Sequence, residues 1–269
     1  MKFFDTHTHV NLPEFANDQD QVIQRALDTG TWMINVGTSL ESSKLAVEIS
    51  QKYPDGVFAA LGLHPTDSKD SFIESEFEKL LNDKVVAIGE CGLDYYRLIP
   101  DNRESEIKRQ KQEFIKQIAF AKKHKLALIV HCRDLPTPEL RQAGAYEDVL
   151  EILKAEYVGG PGVIHSFTDT WDTAKKFLDF GFYVALNGIL TFDKTGKLAE
   201  VAEKTPIEKL LIETDAPYLT PPPNRGKRNE PSYVQYVAGK VAEIKKISPE
   251  EAGAQTFRNA CELFKIKIS

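Results

Sequence analysis

Apolar and polar positions along this chain alternate between two periods, and the alternation is regular from end to end. Short runs rich in Val, Ile, Leu and Phe, of strand length and bounded by turn residues, predict strands at Phe3–His7, Trp32–Val36, Val57–Leu61, Val85–Gly89, Leu126–His131, Gly162–His165, Phe182–Leu186 and Leu210–Glu213. Between them lie amphipathic stretches near residues 17–27, 40–52, 72–82, 104–124, 145–157, 171–179, 196–203 and 232–245. In the longest, Ile107, Phe114, Ile118 and Ala121 recur on one stripe with the helical period. A last helix is expected to open at Ser248-Pro249-Glu250-Glu251, which reads as a capping box with proline in the first turn, and to pack across the outside or an end of the fold.

Eight strand–helix units in alternation imply a parallel sheet, and their number favours closure into an α/β, (β/α)8 TIM barrel with an extra C-terminal helix. The competing open, doubly wound sheet lacks support: no Gly-x-Gly-x-x-Gly follows the first strand, and no phosphate-cradling Gly-x-x-x-x-Gly-Lys-Ser/Thr occurs. At 269 residues the chain suits one barrel domain spanning residues 1–269.

Composition narrows the partners. A net charge of −6 argues against a broadly basic face for gripping duplex nucleic acid, so any such contact should be local. Cys91, Cys132 and Cys261 are odd in number and irregularly spaced, which points away from a disulfide framework or a cysteine zinc site. With no secretory signal and no apolar run of membrane-spanning length, the protein is expected to be cytoplasmic, without a membrane or an obligate protein partner.

The candidate chemistry begins at Asp5-Thr6-His7-Thr8-His9, where strict alternation in a strand would turn Asp5, His7 and His9 to one side. A lone His-x-His falls in a loop by chance often enough. Here, however, Glu90, His131, His165 and Asp215 each stand at or near the end of another expected strand, and in a (β/α)8 barrel those ends converge. Four imidazoles and two carboxylates exceed the needs of one ion. A carboxylate between two groups of ligands can bridge a pair of cations. Glu90 is the expected bridge, with His7, His9 and Asp215 on one ion and His131 and His165 on the other.

Asp5-Thr6-His7-Thr8-His9, Gly62-Leu63-His64-Pro65, Gly89 to Tyr96 (GECGLDYY), His131-Cys132-Arg133, His165-Ser166-Phe167-Thr168, Glu213 to Leu219 (ETDAPYL) and Gly226 to Pro231 (GKRNEP) together resemble the TatD family of metal-dependent deoxyribonucleases. The motifs run in order through nearly the whole chain. The resemblance implies a distorted TIM barrel, a two-metal hydrolytic centre and cleavage of DNA phosphodiester bonds, often 3′ to 5′ from single strands or 3′ ends, with the same ligand roles at each matching position. Leu135 to Tyr146 departs from the pattern as an insertion beside the expected site mouth and leaves substrate choice open.

Two divalent ions, Mg2+, Mn2+ or Zn2+, would activate a water and neutralise phosphoryl charge. Asp215 is expected to orient that water and accept its proton, and Asp5 and Glu213 to hold hydrogen bonds behind the ligands. His64 is either a phosphate contact or a histidine satisfied in its turn, with its placement favouring contact. Arg133 is a phosphate fork or a surface charge, and Arg225, Lys227 and Arg228 are a local nucleic-acid grip or a solvated loop. Asp94, Tyr95 and Tyr96 either line the cleft, where a ring could stack on a base, or pack, as aromatics after a strand more often do, and His124 is structural. The rival activity is hydrolysis at carbonyl carbon, as in an amidohydrolase, lactonase or nucleic-acid-linked ester hydrolase on the same barrel. Many two-metal amidohydrolases bridge their ions with a carboxylated lysine, where this chain offers Glu90. A non-catalytic metal- or DNA-binding protein has less support, because binding alone has no need of an activated water.

Overall fold

Eight parallel strands run side by side in sequence order: β1 (Phe3–Thr8), β2 (Thr31–Val36), β3 (Val57–Leu61), β4 (Val85–Asp94), β5 (Ala127–Arg133), β6 (Gly162–Ile164), β7 (Tyr183–Leu186) and β8 (Leu210–Ile212). The structure is a computed structural model and describes residues 2–67, 70–98, 102–135 and 144–267. Helices α1 (Gln19–Asp28), α2 (Leu40–Gln51), α3 (Glu74–Glu78), α4 (Arg103–His124), α5 (Ala145–Glu156), α6 (Trp171–Phe180), α7 (Lys197–Lys204) and α8 (Val234–Lys245) follow the strands in turn. The sheet curls until its edges meet. Thr6 Oγ1 donates to Ile212 O at 3.2 Å, and an isolated parallel bridge joins Thr8 to Ala216, so the expected (β/α)8 TIM barrel is nearly closed.

One apolar cluster takes residues from all eight strands, among them Phe4, Ile34, Ala60, Ala87, Ile129, Val163, Ala185 and Leu211, together with Phe257, Leu263 and Phe264. Its helical members all come from or just beyond α9 (Pro249–Leu263), so this cluster fills the barrel and α9 closes its base. The last helix thus packs on an end of the fold. Ser248 Oγ accepts from Glu251 N at 3.1 Å, the forward half of the expected capping box. A second, larger cluster lies between strands and surrounding helices and includes Phe114, Ile118 and Ala121 of α4.

Two strands break alternation where the chemistry sits. Phe4 faces the barrel interior, so strict alternation would turn His7 away. Between Asp5 and Thr8 the pairing with β2 slips, three steps on β1 matching two on β2. A bulge of this kind re-aims the residues that follow it. In β4 the same slip against β5 falls between Ile88 and Cys91 and turns Glu90 inward. The expectation that Asp5, His7 and His9 share one face therefore fails at Asp5, which lies before the slip. The fourth strand also runs on to Asp94 rather than ending at Gly89, placing Glu90 within it.

Glycine allows the close backbone approach this requires. Gly92 has φ +136°, and a Cβ there would collide with His131 O; one on Gly62 would lie 2.6 Å from Glu90 N. Of the expected insertion at Leu135 to Tyr146, residues 136–143 lie outside the described residues, while Ala145 and Tyr146 open α5. Among the described residues no helix is long and apolar enough to cross a membrane.

Candidate metal centre

At the mouth of the barrel, above that apolar filling, the two oxygens of Glu90 face different imidazoles. Oε2 lies 3.3 Å from His7 Nε2 and 3.5 Å from His9 Nε2. Oε1 lies 2.8 Å from His131 Nδ1, 3.1 Å from His165 Nε2 and 3.3 Å from His64 Nε2. Asp215 Oδ1 completes the first group, 3.8 Å from His7 Nε2 and 3.5 Å from His9 Nε2. All six residues expected to bind metal are thus brought together, and His64 joins them.

Main-chain stitching between β1 and the segment after β8 holds the first group. Asp215 N donates to His7 O at 2.9 Å and His9 N to Ala216 O at 2.8 Å. Asp215 itself has φ +55°, a left-handed conformation that Asp tolerates better than most residues. Asp5 accepts from Thr214 N at 2.8 Å, from Thr214 Oγ1 at 2.5 Å and from His7 N at 3.3 Å. It anchors the backbone leading into His7 and Asp215 and touches no imidazole among these bonds.

The partner of each ring's second nitrogen decides what the ring offers the cavity. His9 Nδ1 lies 2.9 Å from Val36 O and His165 Nδ1 3.1 Å from Glu213 Oε1, acceptors that fix the proton on Nδ1 and leave the Nε2 lone pair pointing inward. His131 is turned the other way, with Nε2 3.1 Å from Asp94 Oδ2 and Nδ1 toward Glu90. His64 differs from all of these. Thr66 N–H donates to its Nδ1 at 3.2 Å, so Nε2 carries the proton and His64 presents a donor.

Divalent ions fit these residues on two grounds. Ligand atoms about 2.0–2.1 Å from a tetrahedral ion stand about 3.3 Å apart. The His7 Nε2–His9 Nε2 separation is 3.1 Å, and each of these two nitrogens lies 3.3 to 3.8 Å from Glu90 Oε2 and Asp215 Oδ1. In addition, inward lone pairs face carboxylate oxygens, an arrangement that repels unless a cation or protons intervene. The buried His7 Nδ1 has no hydrogen-bond partner in the structure.

Without an ion, protons take that part. Burial opposes charge on His165, but Glu213 and Glu90 outweigh it and hold its pKa well above the ordinary value. His131 is raised in the same way against burial, by Asp94 and Glu90, and His9 by Asp215 and Glu90. Burial lowers His7 and His64. Burial alone would raise Glu90, yet the surrounding imidazoles hold it well below the usual carboxylate range.

The centre opens into a cavity of about 920 Å3 lined by His64, Glu90, His131, Arg133, His165, Asp215 and Tyr218, among others. Arg133 does reach it. Arg228 does not line it: its guanidinium forks onto Asp18 at 2.8 and 2.6 Å and donates to Glu14 O, tying the loop down. Arg225 donates to Thr220 O and lies over Phe192, while Lys227 is exposed. Tyr95 is buried with its hydroxyl on Asp148 at 2.6 Å, whereas Tyr96 is exposed. His124 ends α4 with its ring against Phe120.

Sequence reasoning passed over Arg97, which lines the cavity, and three polar residues of α4. Gln117 exchanges bonds with Leu63 N and O at 2.8 and 3.0 Å, and Gln110 with Asp94 N and O at 2.9 and 3.2 Å. Glu113 accepts from Phe72 N. Their signal was a polar residue on the helix's inward stripe.

Residues 4–265 match the family described as TatD related DNase. An uncharacterized metal-dependent hydrolase, YabD of Bacillus subtilis (strain 168), is 42% identical over 270 residues, covering 98% of this chain and 99% of its own. The protein named 3'-5' ssDNA/RNA exonuclease TatD of Salmonella typhimurium (strain LT2) is 33% identical over 273 residues, covering 98% and 99%. A crystal structure of a TatD homologue from Escherichia coli K12 superposes with a TM-score of 0.86 at 28% identity, covering 98% of each chain.

Proposed function

The chain belongs to the TatD related DNase family of metal-dependent hydrolases, and on that premise we propose that it cleaves DNA phosphodiester bonds from 3′ ends at a centre of two divalent ions. The observation that carries this reading is the division of one carboxylate, Glu90, between two groups of imidazoles. His7, His9, Asp215 and Glu90 would hold one ion, and Glu90, His131 and His165 the other. Bound there, the pair would supply an activated water and neutralise charge on the phosphoryl oxygens. The histidine-rich donors suit Zn2+ or Mn2+, and the carboxylates admit Mg2+. The name of the Salmonella relative supports a nucleic-acid substrate.

The residues then divide the work. Asp215, in the cavity wall with its carboxylate beside the first group, orients the attacking water and accepts its proton. His64 donates its Nε2 proton to a phosphoryl oxygen of the substrate. Glu213 and Asp94 keep the rings of His165 and His131 in the tautomers that bind metal. Arg228 is assigned to clamping its loop rather than to gripping DNA.

End-labelled single-stranded DNA, offered to metal-stripped protein resupplied with Mg2+, Mn2+ or Zn2+, tests the reading. Shortening from the 3′ end is expected, with Glu90→Ala slower by more than about 100-fold, beyond the loss typical of groups that merely support ligands. If no ion restores cleavage although ions bind, the phosphodiesterase reading is wrong, and hydrolysis at carbonyl carbon becomes the reading to test on an ester and lactone panel.

A further inference from the structure

Two aromatic rings stand out of the packing beside the metal cavity. Tyr218 is 51% exposed and Tyr96 45% exposed, and among the described residues they are the only aromatic side chains so open. Exposed apolar residues are common, so exposure alone decides nothing. What sets these two apart is how they are held.

Tyr218 lines the cavity three residues after Asp215, on a main chain pinned at both ends. Its N–H donates to Asp215 O at 2.9 Å, and its carbonyl accepts Asn229 Nδ2 at 2.6 Å. On another wall, two residues after His131, Arg133 also lines the cavity and lies over the Tyr96 ring with its guanidinium carbon 3.9 Å from the ring centre. A cation at that distance is attracted to the ring's face, and a guanidinium, unlike an ammonium, is itself a plane on which a base can stack.

We propose that Tyr218 and the Arg133–Tyr96 pair are two stacking platforms that receive nucleobases on either side of the bond being cut, so that these residues set the selection of unpaired, unstacked strands. The proposal rests on the phosphodiesterase reading above. Bases inside a duplex have both faces covered by their neighbours and can use neither platform; bases of a single strand can use both. Arg133 adds attraction for the backbone, but a lysine would supply that charge without the plane.

The test compares kcat/KM of the metal-loaded full chain on two single-stranded oligonucleotides of equal length, one normal and one with tetrahydrofuran abasic residues flanking the cleaved bond. The wild type is expected to prefer the base-bearing strand by about 10-fold or more, expressed in KM. Tyr218→Ala should shrink that preference by at least about 5-fold, and Tyr218→Phe should keep it. Arg133→Lys should lose as much of the preference as Arg133→Ala. A preference retained in Arg133→Lys would make Arg133 a phosphate charge alone and overturn its platform, and one retained in Tyr218→Ala would overturn the other. Equal wild-type cleavage of both strands removes the platforms and leaves the phosphodiesterase reading standing. Cleavage of neither strand removes both.

Discussion

The five histidines around Glu90 differ by the position of a single proton, and that difference separates the candidate ligands from a hydrogen-bond donor. His9, His131 and His165 each give one nitrogen to a fixed acceptor and turn a lone pair inward, whereas Thr66 N–H forces His64 to present N–H. The acceptors therefore tune the site at one remove. Asp94→Asn and Glu213→Gln are expected to weaken metal binding by about 10- to 100-fold with the fold retained, as read by titration against a competing chelator. Unchanged affinity in both would show that ring orientation is set elsewhere. The grouping of the candidate ligands was legible because His, Glu and Asp at strand ends have few other uses. Asp94 was not recognised as a histidine's partner, since nothing in its own motif reveals that His131 ends beside it. Arg228 looked like a free cation because Asp18, which occupies it, lies 210 positions away.

At the scale of elements, hydrophobic pattern located all eight strands yet gave the wrong face for part of the first. Alternation assumes an unbroken ladder, and the slips at Asp5–Thr8 and Ile88–Cys91 fall where the candidate ligands begin. The reading of β4 stopped at Gly89 because glycines interrupt the apolar run, although Gly89 and Gly92 let the β5 backbone at Ile129 and His131 close on either side of Glu90. Helix α4 carries the other hidden device. Its stripe holds Gln110, Glu113 and Gln117, all buried, which bond to main-chain groups at the end of β4 and in the loop after β3. Gln117→Ala leaves the N–H and C=O of Leu63 without those bonds, next to His64. The expected cost is about 1–3 kcal/mol for each group left unpaired, with a fall in kcat as His64 loses its position. Thermal melting and steady-state rates check it; an unchanged melting temperature would mean that water replaces the glutamine.

Across the whole molecule, chemistry and stability occupy opposite ends. Phe257, Leu263 and Phe264 from the region of α9 seal the base of the barrel with Phe4, Trp32 and Phe58, while the ligands gather at the strands' carboxyl ends. The architecture was readable from eight alternating units, because only a closed parallel barrel buries every strand and brings distant ligands to one mouth. The central claim is that this mouth holds two ions joined by Glu90. Elemental analysis of protein loaded with Zn2+ or Mn2+ and freed of excess by gel filtration tests it most directly. The account predicts close to two ions per chain for the wild type and a clear loss in Glu90→Ala. A single ion per chain in the wild type, undiminished by Glu90→Ala, would contradict it.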